Sequence, residues 1–297
     1  MSTDDLAFFR VIAASESLTA ASRDLGSSLP VVSRRLAALE ARLGARLVIR
    51  GARRLSLTSE GEWYAARGNA ILDQIHALED QVGAAAGDLR GALVVEATPG
   101  FGRAHVAPLL GEFAAVHPEI DARLHLSALP PQPQRRGFDV AIHVGPARDS
   151  ALRMRRLARN RRVPCAAPSY LAAHGTPTSV DDLADHRCIV LRENESDFAS
   201  WRFGTSGRTR VFRAQGHLAS NDGDVVTGWA LAGLGVIMRS EWQVRAHLDS
   251  GALVRVLPGV TTPPADVVAL LDADARPPRR VAEFLDLLAD RLPERLR

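Results

Sequence analysis

The chain has 297 residues, 46% apolar and 24% charged, a composition that excludes a disordered or fibrous protein. This length predicts two or three domains, because single cores stop growing below it. The net charge is only +3 and all 37 basic residues are arginine, yet Arg34, Arg35, Arg42, Arg46, Arg50, Arg53 and Arg54 crowd a stretch with one acid, Glu40. That local excess is the footprint of a surface for a polyanion.

In chain order, Asp4–Ala14 is expected to be a helix with Leu6, Phe9 and Ala13 on one stripe. Ser17 can cap a short second helix, Thr19–Leu25, and Gly26 breaks it. Ser28 can cap a third helix that reaches Leu43, with Pro30 in its first turn, where the missing N–H costs nothing. Arg46–Arg50 and Arg54–Leu57 are expected as a hairpin turning at Gly51-Ala-Arg53. Thr58 then caps a long helix, Ser59–Ala86. Its Tyr64, Ile71, Ile75, Leu78 and Val82 form a heptad seam, which predicts pairing with a second copy of the chain.

Asp88–Gly91 is expected to be a linker. Beyond it strands (Leu93–Ala97, Ile120–Ser127, Val140–Val144, Arg161–Ala167, Cys188–Leu191, Trp201–Phe203, Arg210–Gln215, Val236–Met238, Leu253–Leu257, Val267–Leu271) alternate with helices (Ala104–His117, Pro168–His174, Asp222–Ala232, Arg279–Leu292). That alternation predicts an α/β fold with a largely parallel sheet.

Two short helices with a tight turn, then a hairpin with arginines at its tip, form a recognition device for double-stranded DNA. The helix after Ser28 can enter a major groove N-terminus first. Its outer face offers Ser28, Leu29, Pro30, Val31, Ser33, Arg34 and Arg35. An arginine fork bonds O6 and N7 of a guanine edge; Ser27, Ser28 and Ser33 can meet phosphates or bases, and Val31 can meet a thymine methyl. Arg50, Arg53 and Arg54 on the hairpin suit backbone or minor-groove contact.

The segment Leu18–Leu47, with Leu18-Thr-Ala-Ala-Ser-Arg-Asp-Leu-Gly26 and Ser27-Ser-Leu-Pro-Val-Val-Ser-Arg-Arg-Leu36 at its centre, and its continuation Arg53-Arg-Leu-Ser-Leu-Thr-Ser-Glu-Gly61 resemble the LysR-type transcriptional regulators. So do Gly137-Phe-Asp-Val-Ala-Ile142, Ala167-Pro-Ser-Tyr-Leu171, Ser220-Asn-Asp222 and Trp229-Ala-Leu-Ala-Gly-Leu-Gly235. The wing resembles the branch often linked to small organic-acid metabolism. The resemblance implies a winged helix-turn-helix over residues 1–58, a dimerising linker helix and hinge over 59–90, and an effector-binding domain over 91–297. That last domain would have two α/β lobes, like type 2 periplasmic binding proteins: lobe I about 91–161 and 266–297, lobe II about 162–265. A homodimer or homotetramer on promoter DNA is also implied, with a small-molecule effector and RNA polymerase as further partners. Where the family commonly has Gln before the proline of the recognition helix, this chain has Leu29.

Small ligands collect at strand ends and helix starts in α/β lobes. Thr98-Pro-Gly-Phe101 follows the first strand of the effector domain. By resemblance Thr98, Gly100, Ser127, His143 and Asn221, with Phe101 in the same loop, are the expected cleft residues. Relatives often carry Arg at the place of His143 and Ser at those of Glu96 and Gly100. His143 reads equally as a strand-end histidine, and Asp222 as a helix cap. Of the run Leu152–Arg162, on the strand crossing between lobes, only Arg161 or Arg162 is expected at the ligand.

An enzyme is not expected: Gly100-Phe-Gly102 is a lone Gly-x-Gly, and no nucleophile elbow, carboxylate pair, metal spacing or cofactor motif is present. Cys165 and Cys188 suit a reducing cytoplasm. The acidic start is no secretory leader, and the longest charge-free apolar run, Val225–Met238, is too short for a bilayer, so no membrane partner is expected.

Overall fold

The computed structural model describes residues 2–49, 55–83, 89–128, 138–145, 152–192, 199–204, 209–216, 218–273 and 277–296. The first described unit is three helices and a short hairpin: α1 (Thr3–Ala14), α2 (Leu18–Asp24), α3 (Leu29–Leu43), β1 (Val48–Ile49) and β2 (Ser56–Leu57). Ser2 caps α1, accepting from the Asp4 N–H, and Ser17 caps α2 at 3.1 Å from the Ala20 nitrogen. Ser28 holds the N-cap position of α3 but makes no side-chain cap bond. Gly44 closes α3 at φ 67, where a left-handed cap favours glycine. Glu40, the lone acid of the basic run, is buried and accepts the Leu47 N–H at 2.8 Å and that of Val48 at 3.2 Å, which fixes the start of the wing.

The long helix α4 (Ser59–Gly83) begins behind Thr58, whose hydroxyl accepts from the Gly61 N–H. A Cβ at Gly61 would land on the Leu47 carbonyl oxygen, so only glycine lets α4 pass this close to the wing. The first turns of α4 do not form a free seam. Tyr64, Ala65 and Leu72 are buried in one core with Phe9, Ile12, Val32 and Leu36, and Ile71 packs against it. The Tyr64 ring meets Phe9 edge-on at 5.3 Å. This corrects the expected assignment of Tyr64 to a dimer seam: the short helices do not close the core alone, and α4 supplies the missing wall. Ile75 is half-buried, Leu78 is 61% exposed, and the Val82 side chain lies outside the described residues.

Beyond the linker, β3 (Gly91–Ala97), β4 (Ile120–Leu126), β5 (Val140–Val144), β6 (Leu152–Ala158) and β14 (Val267–Asp272) form a sheet ordered β4-β3-β5-β14-β6. Against β3 pack α5 (Pro99–Phe101), a π turn over Gly102–Val106 and α6 (Ala107–Val116), one helical run that begins earlier than Ala104. The last helix, α10 (Arg279–Arg295), completes this core with Val281, Phe284, Leu285, Leu288 and Leu292. The second lobe holds β7 (Arg162–Ala166), α7 (Pro168–His174), a 3-10 turn (Asp181–Asp185), β8 (Ile189–Leu191), β9 (Ser200–Phe203), β10 (Arg210–Arg213) and β11 (Leu218–Ser220). It continues with α8 (Gly223–Leu231), β12 (Ile237–Ser240), α9 (Glu241–Asp249) and β13 (Val254–Arg255).

The expectation of a largely parallel sheet needs correcting. β3 runs parallel to β4 and β5, but β14 is antiparallel to both β5 and β6, and β7 is antiparallel to β12 and β13. The cause is connectivity: the chain leaves the first lobe after β6 and returns as β14, entering the sheet from the other end. The two crossings are clamped by Asn160. Its side chain donates to the Ala265 carbonyl at 2.8 Å and to Ser240 Oγ at 3.2 Å, and its carbonyl accepts from the Ala265 N–H.

Candidate DNA-reading face and effector cleft

The outer face of α3 is open. Ser28, Leu29, Pro30, Val31, Ser33, Arg34 and Arg35 are exposed, and Ser27 is half-buried. Burial of Val32, Leu36 and Leu39 on the inner side explains the division, since a helix buries one stripe. The arginines are not equivalent. Arg35 turns back onto α1, its guanidinium 4.4 Å from the centroid of the Phe8 ring and Nη2 donating to the Asp4 carbonyl at 2.9 Å. Arg42 pairs with Asp5 at 2.7 Å. Among the described residues Arg34 makes a long 3.4 Å bond to the Pro30 carbonyl one turn back, and its side chain is exposed. So α1 engages Arg35 within its own domain, whereas Arg34 is left facing outward. Arg50, Arg53 and Arg54 at the wing tip lie outside the described residues.

In the effector domain a cleft lies between the lobes, with a cavity volume of about 20 Å³. Thr98, Gly100, Phe101 and Asn221 line it as expected. Arg162 lines it too, whereas Arg161 turns away to Glu241, Nε to Oε2 2.5 Å. Ser127 and His143 are not part of the lining. Val140, Ile142 and Val144 of β5 face the core under α6 and α10, so His143, at the alternate position, faces the opposite side of the sheet with Ala141. Ser127 instead ends β4 by donating its backbone N–H to the Ala97 carbonyl at 2.9 Å. Asp222 is the N-cap of α8, accepting from the Asp224 and Val225 N–H groups.

Sequence reasoning missed Arg239, Ser240 and Trp242, which form the wall of the second lobe. Arg239 is buried, and a Cβ at Gly223 would collide with its guanidinium, so the glycine makes room for the charge. The signal was the end of an apolar strand, Val236–Met238, followed by a polar pair. It was overlooked because α9 was not foreseen behind it, so the strand end did not read as a strand-to-helix turn. Trp242 packs edge-on against Phe101 at 5.3 Å and against His105 at 4.9 Å, joining the lobes behind the cleft. Burial, with Arg295 nearby, pushes His105 down to about 4, so its ring is neutral at physiological pH. Burial also pushes Cys165 and Cys188 up to about 12, which leaves both as thiols rather than nucleophilic thiolates.

Across the cleft mouth Arg103 of the first lobe pairs with Asp224 at 2.7 Å and Asp222 at 3.2 Å in the second. Asp224 also accepts from Gln243 Nε2 at 2.6 Å, and Gln243 in turn accepts from Arg239. Residues 3–62 match the profile of bacterial regulatory helix-turn-helix proteins of the lysR family, and residues 86–293 match the LysR substrate binding domain. The chain belongs to the LysR family of transcriptional regulators. It is 34% identical over 254 residues to the HTH-type transcriptional activator TtdR of Escherichia coli strain UTI89, covering 86% of this chain and 82% of that one. Identity to the regulator DmlR of E. coli K12 is 33%, over 86% and 83% of the two chains. The full-length structure of the Vibrio cholerae virulence activator AphB superimposes with a TM-score of 0.61 at 27% identity, covering 98% and 99%. This LysR regulator therefore couples a winged helix-turn-helix to a two-lobed effector-binding domain. Among its described residues no helix is long and apolar enough to cross a membrane.

Proposed function

We propose that this LysR regulator binds a small carboxylate anion in its interlobe cleft and, in response, changes its grip on promoter DNA. The observation that carries the reading is the charge of the wall: Arg162 and Arg239 line the cleft, and among the described residues no acidic side chain lines it with them. Two guanidinium groups in a partly buried site suit a carboxylate, which each can hold through paired N–H donors. Thr98, Asn221 and Ser240 add neutral polar groups beside them. At the other end α3 enters the major groove N-terminus first with Arg34 reading a base edge, and the wing arginines meet the backbone. The exposed stretch of α4 around Leu78 pairs two copies so that their α3 helices reach half-sites about 34 Å apart or a multiple of it. The dimer builds a tetramer, works in the cytoplasm where its DNA lies, and acts on RNA polymerase access. Lobe closure on the anion shifts the subunit arrangement and with it the spacing of the paired helices. Residues 1–58, 59–90 and 91–297 are the units of this coupling.

Thermal-shift measurements with small carboxylic acids and with the amides of the same skeletons test the cleft. Binding stabilises the chain by about 2.7 kcal/mol at a hundredfold excess over Kd. An acid is expected to raise the melting temperature, its amide not, and Arg239→Gln to abolish the shift. Equal shifts from acids and amides, or none from either, would overturn the carboxylate reading.

A further inference from the structure

Two carboxylates stand beside the cation of the second-lobe wall. Asp222 and Asp224 flank Gly223, and the buried Arg239 packs its guanidinium so closely on Gly223 that a Cβ there would collide with it. Arg239 donates to Oε1 of Gln243, and Nε2 of the same amide donates to Asp224 Oδ1 at 2.6 Å. One amide group therefore stands between the cleft cation and an aspartate. Negative charge this near Arg239 opposes a ligand carboxylate, because partly buried charges are only weakly screened.

Arg103, on the π turn of the first lobe, counters that charge. Its Nη2 donates to Asp224 Oδ2 at 2.7 Å and to Asp222 Oδ2 at 3.2 Å. The other oxygen of each aspartate serves the second lobe: Asp222 Oδ1 accepts the N–H groups of Asp224 and Val225, and Asp224 Oδ1 accepts from Gln243. None of Arg103, Asp222, Asp224 and Gln243 is among the residues that line the cleft. We propose that Arg103 is a positioning residue for the effector: it holds Asp222 and Asp224 at the mouth, keeps their charge off a carboxylate at Arg239, and so sets the affinity of a cleft it does not touch. This deepens the carboxylate reading and rests on it. Charge control and a mechanical latch differ in sign. A latch breaks alike from either end, so Arg103→Ala and Asp224→Asn would change ligand affinity in the same direction. Under charge control Arg103→Ala releases two anions and weakens binding, whereas Asp224→Asn removes one and does not weaken it.

The full-length protein is titrated with acetate, succinate and benzoate, each beside its amide, and Kd is read from the rise in melting temperature. For an acid that binds the parent, Arg103→Ala is expected to raise Kd about fivefold or more, the low end of typical coupling between sites. Arg103→Lys, which keeps the charge, should stay near the parent. Asp224→Asn should bind at least as tightly as the parent, and added to Arg103→Ala it should recover most of the lost affinity. The melting temperature without ligand checks that each variant is folded. An unchanged Kd in Arg103→Ala overturns the proposal, as does weakening by Asp224→Asn or a double variant no better than Arg103→Ala. In each of these cases a parent that prefers acid to amide leaves the carboxylate reading standing. A parent that binds acid and amide equally, or binds neither, overturns that reading and the role of Arg103 with it.

Discussion

In the winged domain the side chains offered to a partner stand outside a small apolar core, and the structure leaves them exposed. In the effector domain they line a cleft, where Arg239 is buried and tied through Gln243 to Asp224. The first arrangement suits a partner whose charge is fixed and large: DNA needs surface, shape and a few outward donors. The second suits a partner that must be admitted, held and released, because partly dry charges discriminate strongly and respond to small movements. The contrast also separates the two stabilities. The winged domain depends on α4 for its wall; the first lobe depends on a buried charge at its base.

That dependence gives the largest expected effects. Arg280 is buried, donates to the Ala92 carbonyl at 2.6 Å and lies 3.9 Å from Asp139, which in turn accepts the Val94 N–H at 2.7 Å. Arg280→Ala leaves the Asp139 carboxylate in a dry site and is expected to cost about 3–5 kcal/mol. Tyr64→Ala empties the contact on Phe9 and is expected to cost about 3–5 kcal/mol in the winged domain. Calorimetry with limited proteolysis separates the two: Tyr64→Ala should lower the winged-domain transition alone, and Arg280→Ala the effector-domain transition alone. One shared transition that moves equally in both variants would show that the domains are not independent. Leu78→Ala, by contrast, should leave both transitions in place and raise the dimer dissociation constant in sedimentation, because Leu78 is exposed in the single chain.

The winged domain was legible because its elements follow strong local rules. Ser17, Gly26 and Pro30 punctuate it, and the boundaries of α1, α2 and α3 fall within a residue of where those rules put them. Tyr64 was misjudged because a heptad pattern states which residues are apolar, not which surface they meet. In the effector domain Thr98, Gly100, Phe101 and Asn221 were expected at the cleft by family resemblance, whereas His143, which read equally as a strand-end histidine, lies outside the lining. A strand end alone does not fix which face a residue takes; that requires the register of β5 against β14. Arg239 could not be read as a cleft residue until β12 and β7 were paired across the fold.

The ion cluster where the lobes join gives a smaller effect with a defined sign. Bonding from Arg161 holds the Glu241 carboxyl down to about 2, Arg255 helps, and burial opposes them. A carboxyl lowered on folding stabilises the fold fully above its ordinary value of 4.5 and loses that contribution as pH falls through about 2. Stability is therefore expected to decline over that window, and Glu241→Gln should flatten the decline. A variant whose stability falls as steeply as the parent between pH 4.5 and 2 would place the acid sensitivity elsewhere.

The smallest effect concerns the cleft mouth. Arg103 is about half exposed, so its bridge to Asp222 and Asp224 works largely in water and is screened by salt. Arg103→Ala is expected to cost about 0.2–1 kcal/mol, seen as a few-fold faster amide exchange in the π turn and the start of α8. Because the pairing is across lobes, a double change, Arg103→Asp with Asp224→Arg, should restore part of the protection that either single change removes. High salt should shrink the difference between Arg103→Ala and the parent. If the double change restores nothing, the lobes are held by the Trp242 contacts with Phe101 and His105 and by the Asn160 clamp, and the mouth differs from the winged surface less than its geometry implies: both would then be open faces waiting on a ligand.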